Sequence, residues 1–117
     1  MSLLVAVSIG LGGAIGALLR ALTGRWIQSS FPWATFLVNA VGSFILAAAY
    51  AALPMESEIV RAFIGTGLCG ALTTFSTFIL DTVILARSGM WKRALLYLAG
   101  TLVVCCLASL AGFYLMC

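Results

Sequence analysis

Between Thr73 and Phe78 the sequence reads TTFSTF, three threonines, a serine and two phenylalanines in six positions. They lie within Ala62–Leu80, a run of 19 residues without a charge and nearly long enough to cross a bilayer as a helix. Hydroxyls are costly in hydrocarbon unless a partner satisfies them. Either neighbouring helices take up these groups or something polar passes them. Hydroxyls and aromatic edges are neutral, and both can turn positive potential toward an anion. A strongly hydrated small anion would be held by many such weak donors without being trapped, as conduction requires. Phe75 and Phe78 are three apart and project from one helical face, where packing is the ordinary role and an anion-facing ring edge the sharper one.

Other polar residues repeat with helical spacing. Thr35, Asn39 and Ser43 recur at i, i+4 and i+8, as do Tyr97, Thr101, Cys105 and Ser109. Interhelical hydrogen bonds, worth about 0.6 kcal/mol each in membranes, would explain either stripe alone. Two stripes beside TTFSTF, in a chain this poor in polar groups, point to a permeation path. Arg20 is either a source of positive potential for that path or a side chain that snorkels to the interface. Gly65, Gly67 and Gly70 loosen the segment just before the threonines. Carbonyls exposed there would offer a cation hard oxygen ligands, and a plain kink accounts for the glycines equally well.

The elements that must position these groups follow from composition. Of 117 residues, 64% are hydrophobic and 8% charged, against roughly a quarter charged in soluble domains. With a mean hydropathy of +1.23, this describes an all-α integral membrane protein. A net charge of +3 without a basic run speaks against nucleic acid. Cys69, Cys105, Cys106 and Cys117 form no C-x-x-C pair and read as small apolar fillers. Four spans are expected, at about 3–22, 33–53, 59–86 and 94–116, making one membrane domain over 1–117 with no appended soluble domain. The first is read as a retained span, since no positive region precedes it. Trp26, Trp33 and Trp91 fall at span edges. Arg20, Arg25, Arg87, Lys92 and Arg93 flank the first and third loops while Arg61 alone flanks the second, which predicts cytoplasmic first and third loops and outer termini. Ser8, Gly12 and Gly16 make a small-residue face that packs the spans of one chain and favours self-association.

Three segments together carry a resemblance. GGAIGALLR (Gly12–Arg20), PWATFLVNAVGSF (Pro32–Phe44) and GTGLCGALTTFSTF (Gly65–Phe78) closely resemble the Fluc, or CrcB-like, family of fluoride channels. The match covers the first three spans in order, and the fourth matches loosely. The resemblance implies a dual-topology dimer of antiparallel subunits in a prokaryotic inner membrane, with two fluoride pores and a break in the third helix. It implies that Asn39 is the pore-lining asparagine and that Phe75 and Phe78 are the aromatic pair whose edges contact fluoride. Thr35, Thr77, Tyr97 and Thr101 would complete the fluoride path, and Arg20 would close the first-span motif. The backbone carbonyls of Gly70 and Thr73 would hold a structural sodium ion at the dimer interface. Ala34 stands where the family's second-span motif usually has glycine, and Cys105 where its polar track would continue with a hydroxyl.

A chain that inserts both ways round should show little charge asymmetry, so the five-to-one bias admits two partners, an identical copy or an oppositely oriented homologue. The competing function is a four-span proton-coupled multidrug exporter. Such a transporter needs a membrane-embedded carboxylate, and Asp81 is the only candidate, expected to face water or pair with an arginine. An enzyme is not expected, for the sequence shows no histidine and no nucleophile–base arrangement.

Overall fold

A computed structural model describes residues 2–29 and 31–116. Cys117 lies outside the described residues. Every regular element in them is helical. α1 runs Leu3–Trp26, started by the Ser2 hydroxyl, which accepts from the Val5 N–H at 3.2 Å. α2 runs Trp33–Ala52, bounded by Pro32 and, beyond Leu53, Pro54. The third span begins with α3, Glu58–Arg61, and widens into a π-helical segment, Ala62–Cys69. It continues through α4, Gly70–Leu72, breaks at Thr73–Thr74 and resumes as α5, Phe75–Arg87. α6, Trp91–Met116, is the fourth span. Each of the four spans is long and apolar enough to cross a membrane.

Two helices extend beyond the apolar runs. α1 continues one turn past Leu22 through Arg25, a cation well placed at a helix C-terminus. α6 starts at Trp91 and takes Lys92 and Arg93 into its first turn. The turn before it is compact because Gly89 adopts φ +80°, a left-handed conformation suited to glycine. Its N–H reaches the Ala86 carbonyl at 3.1 Å and that of Met90 the Leu85 carbonyl at 3.0 Å, a Schellman ending to α5. Arg61 closes the opposite end of the molecule. Its guanidinium donates to the Leu53 carbonyl at 2.9 Å and lies 4.3 Å from the centre of the Tyr50 ring.

The helices pack as two pairs, α1 on Ala62–Cys69 and α2 on α6. Glycines set the first contact. A Cβ at Gly12 would run into the Phe63 carbonyl, and one at Gly16 into the Leu68 carbonyl. The Gly12–Gly16 face is therefore used within the chain, letting two backbones meet. Gly112 plays the same part where α6 crosses the Phe44 carbonyl of α2. Phe78, Leu85, Ala94 and Tyr97 form a buried core cluster joining α5 to α6. Leucines, valines and isoleucines on the outer faces are left exposed, as are Trp26, Trp33 and Trp91 at helix ends. These are surfaces for lipid or for another membrane-embedded chain.

Candidate functional site

The break in the third span is held by one side chain of α2. Thr73 and Thr74 are both extended, with ψ at 155° and 121°. A continuous helix would send the Thr74 N–H to the Gly70 carbonyl. Here it donates instead to Asn39 Oδ1 at 2.8 Å, while Asn39 Nδ2 donates to the Thr74 carbonyl at 3.1 Å. The amide thus takes both backbone groups of one residue, as a neighbouring β-strand would. Thr74 also caps α5, its hydroxyl accepting from the Thr77 N–H at 3.2 Å. The helical donors of the Gly70 and Thr73 carbonyls are consequently used elsewhere. Thr73 keeps its own hydroxyl on the Cys69 carbonyl at 2.8 Å, and its methyl occupies the space left by Gly42 of α2.

A cavity of about 330 Å³ opens at this break. Asn39, Ser43, Gly70, Thr73, Thr74, Phe75, Phe78, Thr101 and Cys105 are among its lining residues, and none of the lining residues is charged. Two of its walls contrast sharply. Phe78 is 3% exposed and Phe75 71%, although their ring centroids stand 5.9 Å apart. The shared face expected from their spacing therefore has one buried and one open member. Thr101 is buried on the cavity wall, and its hydroxyl has no hydrogen-bond partner among the described residues. The break also turns a positive helix end, the start of α5, and the carbonyl end of α4 toward the same space.

The expected path residues do not all meet there. Arg20, Thr35 and Thr77 line a separate cavity of about 140 Å³, which shares only Thr74 with the first. Within it the Arg20 Nε is buried and unpartnered. Tyr97 lies behind Phe78, with ring centroids 5.3 Å apart, and faces a third groove. Its hydroxyl donates to Asp81 Oδ2 at 3.2 Å. Asp81, expected to face water or an arginine, is thereby half-buried and tied to α6. The α6 stripe divides between two spaces, Tyr97 in one, Thr101 and Cys105 in the other.

The Asn39–Thr74 clamp has no counterpart in the sequence reading. Its partners are 35 residues apart, and the only signal was the cost of an amide in a membrane span. Ser43, of the same α2 stripe, lines the cavity while donating to the Asn39 carbonyl at 2.7 Å. Within the glycine run, a possible site of opened carbonyls, Gly65 and Gly67 stay in the widened helix and Gly70, at its end, has the carbonyl that loses its helical donor. The Gly70 N–H reaches back to the Gly65 carbonyl, closing the wide turn before the break.

A family model described as CrcB-like protein, Camphor Resistance (CrcB), matches residues 7–113. A protein of Shewanella frigidimarina named fluoride-specific ion channel FluC is 45% identical, over 83% of either chain. One of the same name from Sulfurovum sp. is 39% identical over 93% of this chain and 90% of its own. Another, from Magnetococcus marinus, is 39% identical over 89% and 90%.

Proposed function

The chain belongs to the CrcB-like family, and from that premise we propose that it is a fluoride-specific ion channel, not an enzyme, a multi-pass membrane protein that lets fluoride leave the cytoplasm passively. The carrying observation is the uncharged cavity at the helix break, lined by an unpartnered threonine hydroxyl, an asparagine amide and two phenylalanine rings. Neutral donors replace the hydration of a small anion without the deep well that a fixed cation would create. Fluoride enters acidified cells as neutral HF and is trapped inside once it dissociates. The membrane potential then drives the anion out, at about 2.3 kcal/mol per charge per 100 mV.

The cavity needs a second wall. Phe75 is open, and the outer faces of all four spans are largely apolar and exposed. A second copy in inverted orientation would cover Phe75 and double the site. An oppositely oriented homologue would do the same, and the five-to-one distribution of cations favours testing both. The path in each subunit would use Asn39, Phe75, Phe78 and Thr101. Thr35, Thr77 and Arg20 would form an approach on the other side of the break, with Tyr97 backing Phe78.

A structural sodium ion fits the break. Gly70 and Thr73 both line the cavity, and their carbonyls have lost their helical donors, leaving hard oxygen ligands of the kind that suit such a cation. Bound there, sodium would be held by neutral carbonyl oxygens and would tie the break to the subunit interface. Asn39 holds the peptide that frees both carbonyls.

The test is efflux from proteoliposomes of the purified chain, followed with fluoride and chloride electrodes in parallel. Rapid release of fluoride without chloride is expected. If the chain alone is silent but conducts with a co-expressed homologue, the partner is not identical. Silence in both preparations overturns the reading.

A further inference from the structure

Asn39 is not the only residue of α2 that meets the break. Gly42 lies three positions further along the same helical face and is buried. A Cβ at Gly42 would collide with the γ-methyl of Thr73, and its next neighbours would be Thr73 Cβ at 3.7 Å and Leu72 Cδ2 at 3.9 Å. The obstruction is thus a single methyl group. The packing glycines differ in kind, since a Cβ at Gly12, Gly16 or Gly112 would meet a backbone carbonyl. Thr73 cannot swing its methyl aside freely. Its hydroxyl and its N–H both donate to the Cys69 carbonyl, at 2.8 Å and 3.0 Å, which fixes the side-chain rotamer. Turning the side chain to clear Gly42 would break the hydroxyl's bond, so a Cβ there displaces the residue as a whole.

The next peptide links Thr73 to Thr74, and its N–H donates to Asn39 Oδ1 at 2.8 Å. In a planar trans peptide the N–H and C=O point in opposite directions, so the Thr73 carbonyl points away from that amide. Asn39 fixes the plane of this peptide, and Gly42 fixes where its first residue sits. We propose that Gly42 is a positioning residue: the Thr73 methyl, seated where Gly42 has no side chain, aims the Thr73 carbonyl as a ligand of the cation at the break. This rests on the sodium site and deepens it, for Gly42 itself offers no side chain to either ion and acts through Thr73. Carbon atoms pack at about 3.5–4.0 Å, so clearing the overlap moves Thr73 by more than the roughly 0.2 Å that a cation site tolerates.

The test is a size exchange read by sodium. The full-length parent, Gly42→Ala, Thr73→Ser and the double variant are purified in detergent. Thermal midpoints are taken against sodium chloride, with N-methylglucamine chloride holding the ionic strength. A cation that binds the folded state raises the midpoint with its concentration, which gives a half-saturating sodium without any flux. Gly42→Ala should raise that concentration by on the order of tenfold, as loss of an orienting partner does at other metal sites. Thr73→Ser keeps the hydroxyl for the Cys69 carbonyl but empties the socket, and should raise it less. In the double variant the added methyl meets nothing nearer than 3.7 Å, and the parental response should return. Fluoride efflux should rank the four chains in the same order. A glycine that only packs the helices would lower every midpoint and leave half-saturation unchanged, which overturns the proposal. So does a double variant that binds sodium no tighter than Gly42→Ala or, where that single variant is not recovered folded, no tighter than Thr73→Ser. A parent midpoint that ignores sodium removes the cation reading and the proposal with it. A sodium response without fluoride efflux removes the channel reading alone, and the midpoints still decide the role of Gly42.

Discussion

Two stretches of the third span leave the regular α-helix, Ala62–Cys69 by widening its turn and Thr73–Thr74 by extending the backbone. The wide turn is sealed against α1. Gly12 and Gly16 of α1 lie directly on the Phe63 and Leu68 carbonyls, and Gly67 faces the backbone of Ile9 and Gly12. The extended break is open, held from one side by the Asn39 amide and facing a cavity on the other. Both depart from the helix, but only the open one leaves carbonyls without their helical donors. The contrast teaches a division of labour: backbone-to-backbone contact fixes the span in place so that the next few residues can stay unpacked.

The strongest way to break that comparison is to wedge the sealed region. Gly16→Val would drive side-chain atoms into the Leu68 carbonyl and the Leu72 N–H, and backbone cannot step aside. Overpacking costs about 1–3 kcal/mol where side chains can yield and more where they cannot. The variant should fail to give monodisperse protein on size exclusion. Gly10→Ala, on the same helix but facing open space, should elute and conduct like the parent. A well-behaved Gly16→Val protein would show that the seam is not what holds the span.

Next comes the open region's single tie. Asn39→Asp deletes the donor to the Thr74 carbonyl and sets a carboxylate against that oxygen. Leaving buried partners unsatisfied costs about 1–3 kcal/mol each, and an anion on the path adds repulsion. Fluoride efflux should fall to the level of empty vesicles while a folded protein is still recovered. Parental efflux would remove Asn39 from both the path and the clamp.

The two phenylalanines separate the regions more finely. Phe78 is packed between Phe75 and Tyr97, whereas Phe75 is open. Phe78→Ile should therefore loosen α5 against α6, raising hydrogen exchange around Tyr97, and also slow efflux. Phe75→Ile should slow efflux by on the order of tenfold, about 1.4 kcal/mol, without changing exchange around Tyr97. Equal exchange in the two variants would contradict the difference in their burial.

The four spans were legible because hydropathy, prolines and interfacial tryptophans are local signals. The start of α6 was not, since Lys92 and Arg93 look like loop residues until helical packing of Ala94 and Tyr97 carries the helix past the apolar run. The break could be sensed from TTFSTF, but not its exact hinge. That depends on an amide from another helix meeting Thr74, and no periodicity within either segment encodes the meeting. The i+4 stripes predicted shared faces but not shared cavities. Phe78 stands in front of Tyr97 and leaves Thr101 on the cavity wall, so one face serves two spaces.

Thr101 offers the smallest and most discriminating change. Thr73 also lines the cavity, but its hydroxyl is already given to the Cys69 carbonyl, while that of Thr101 has no partner among the described residues. An unpartnered buried hydroxyl costs about 1–3 kcal/mol, so replacing it with a methyl of the same shape should leave the fold unharmed or steadier. Thr101→Val is thus expected to match or exceed the parent in thermal midpoint while fluoride efflux drops several-fold. Thr101→Ser, which keeps the hydroxyl and loses the methyl, should retain efflux and give up a little stability. If Thr101→Val instead destabilises the protein and leaves efflux intact, the hydroxyl serves the subunit interface rather than the anion. The open region would then begin at Asn39 and the two phenylalanines, without the wall of α6.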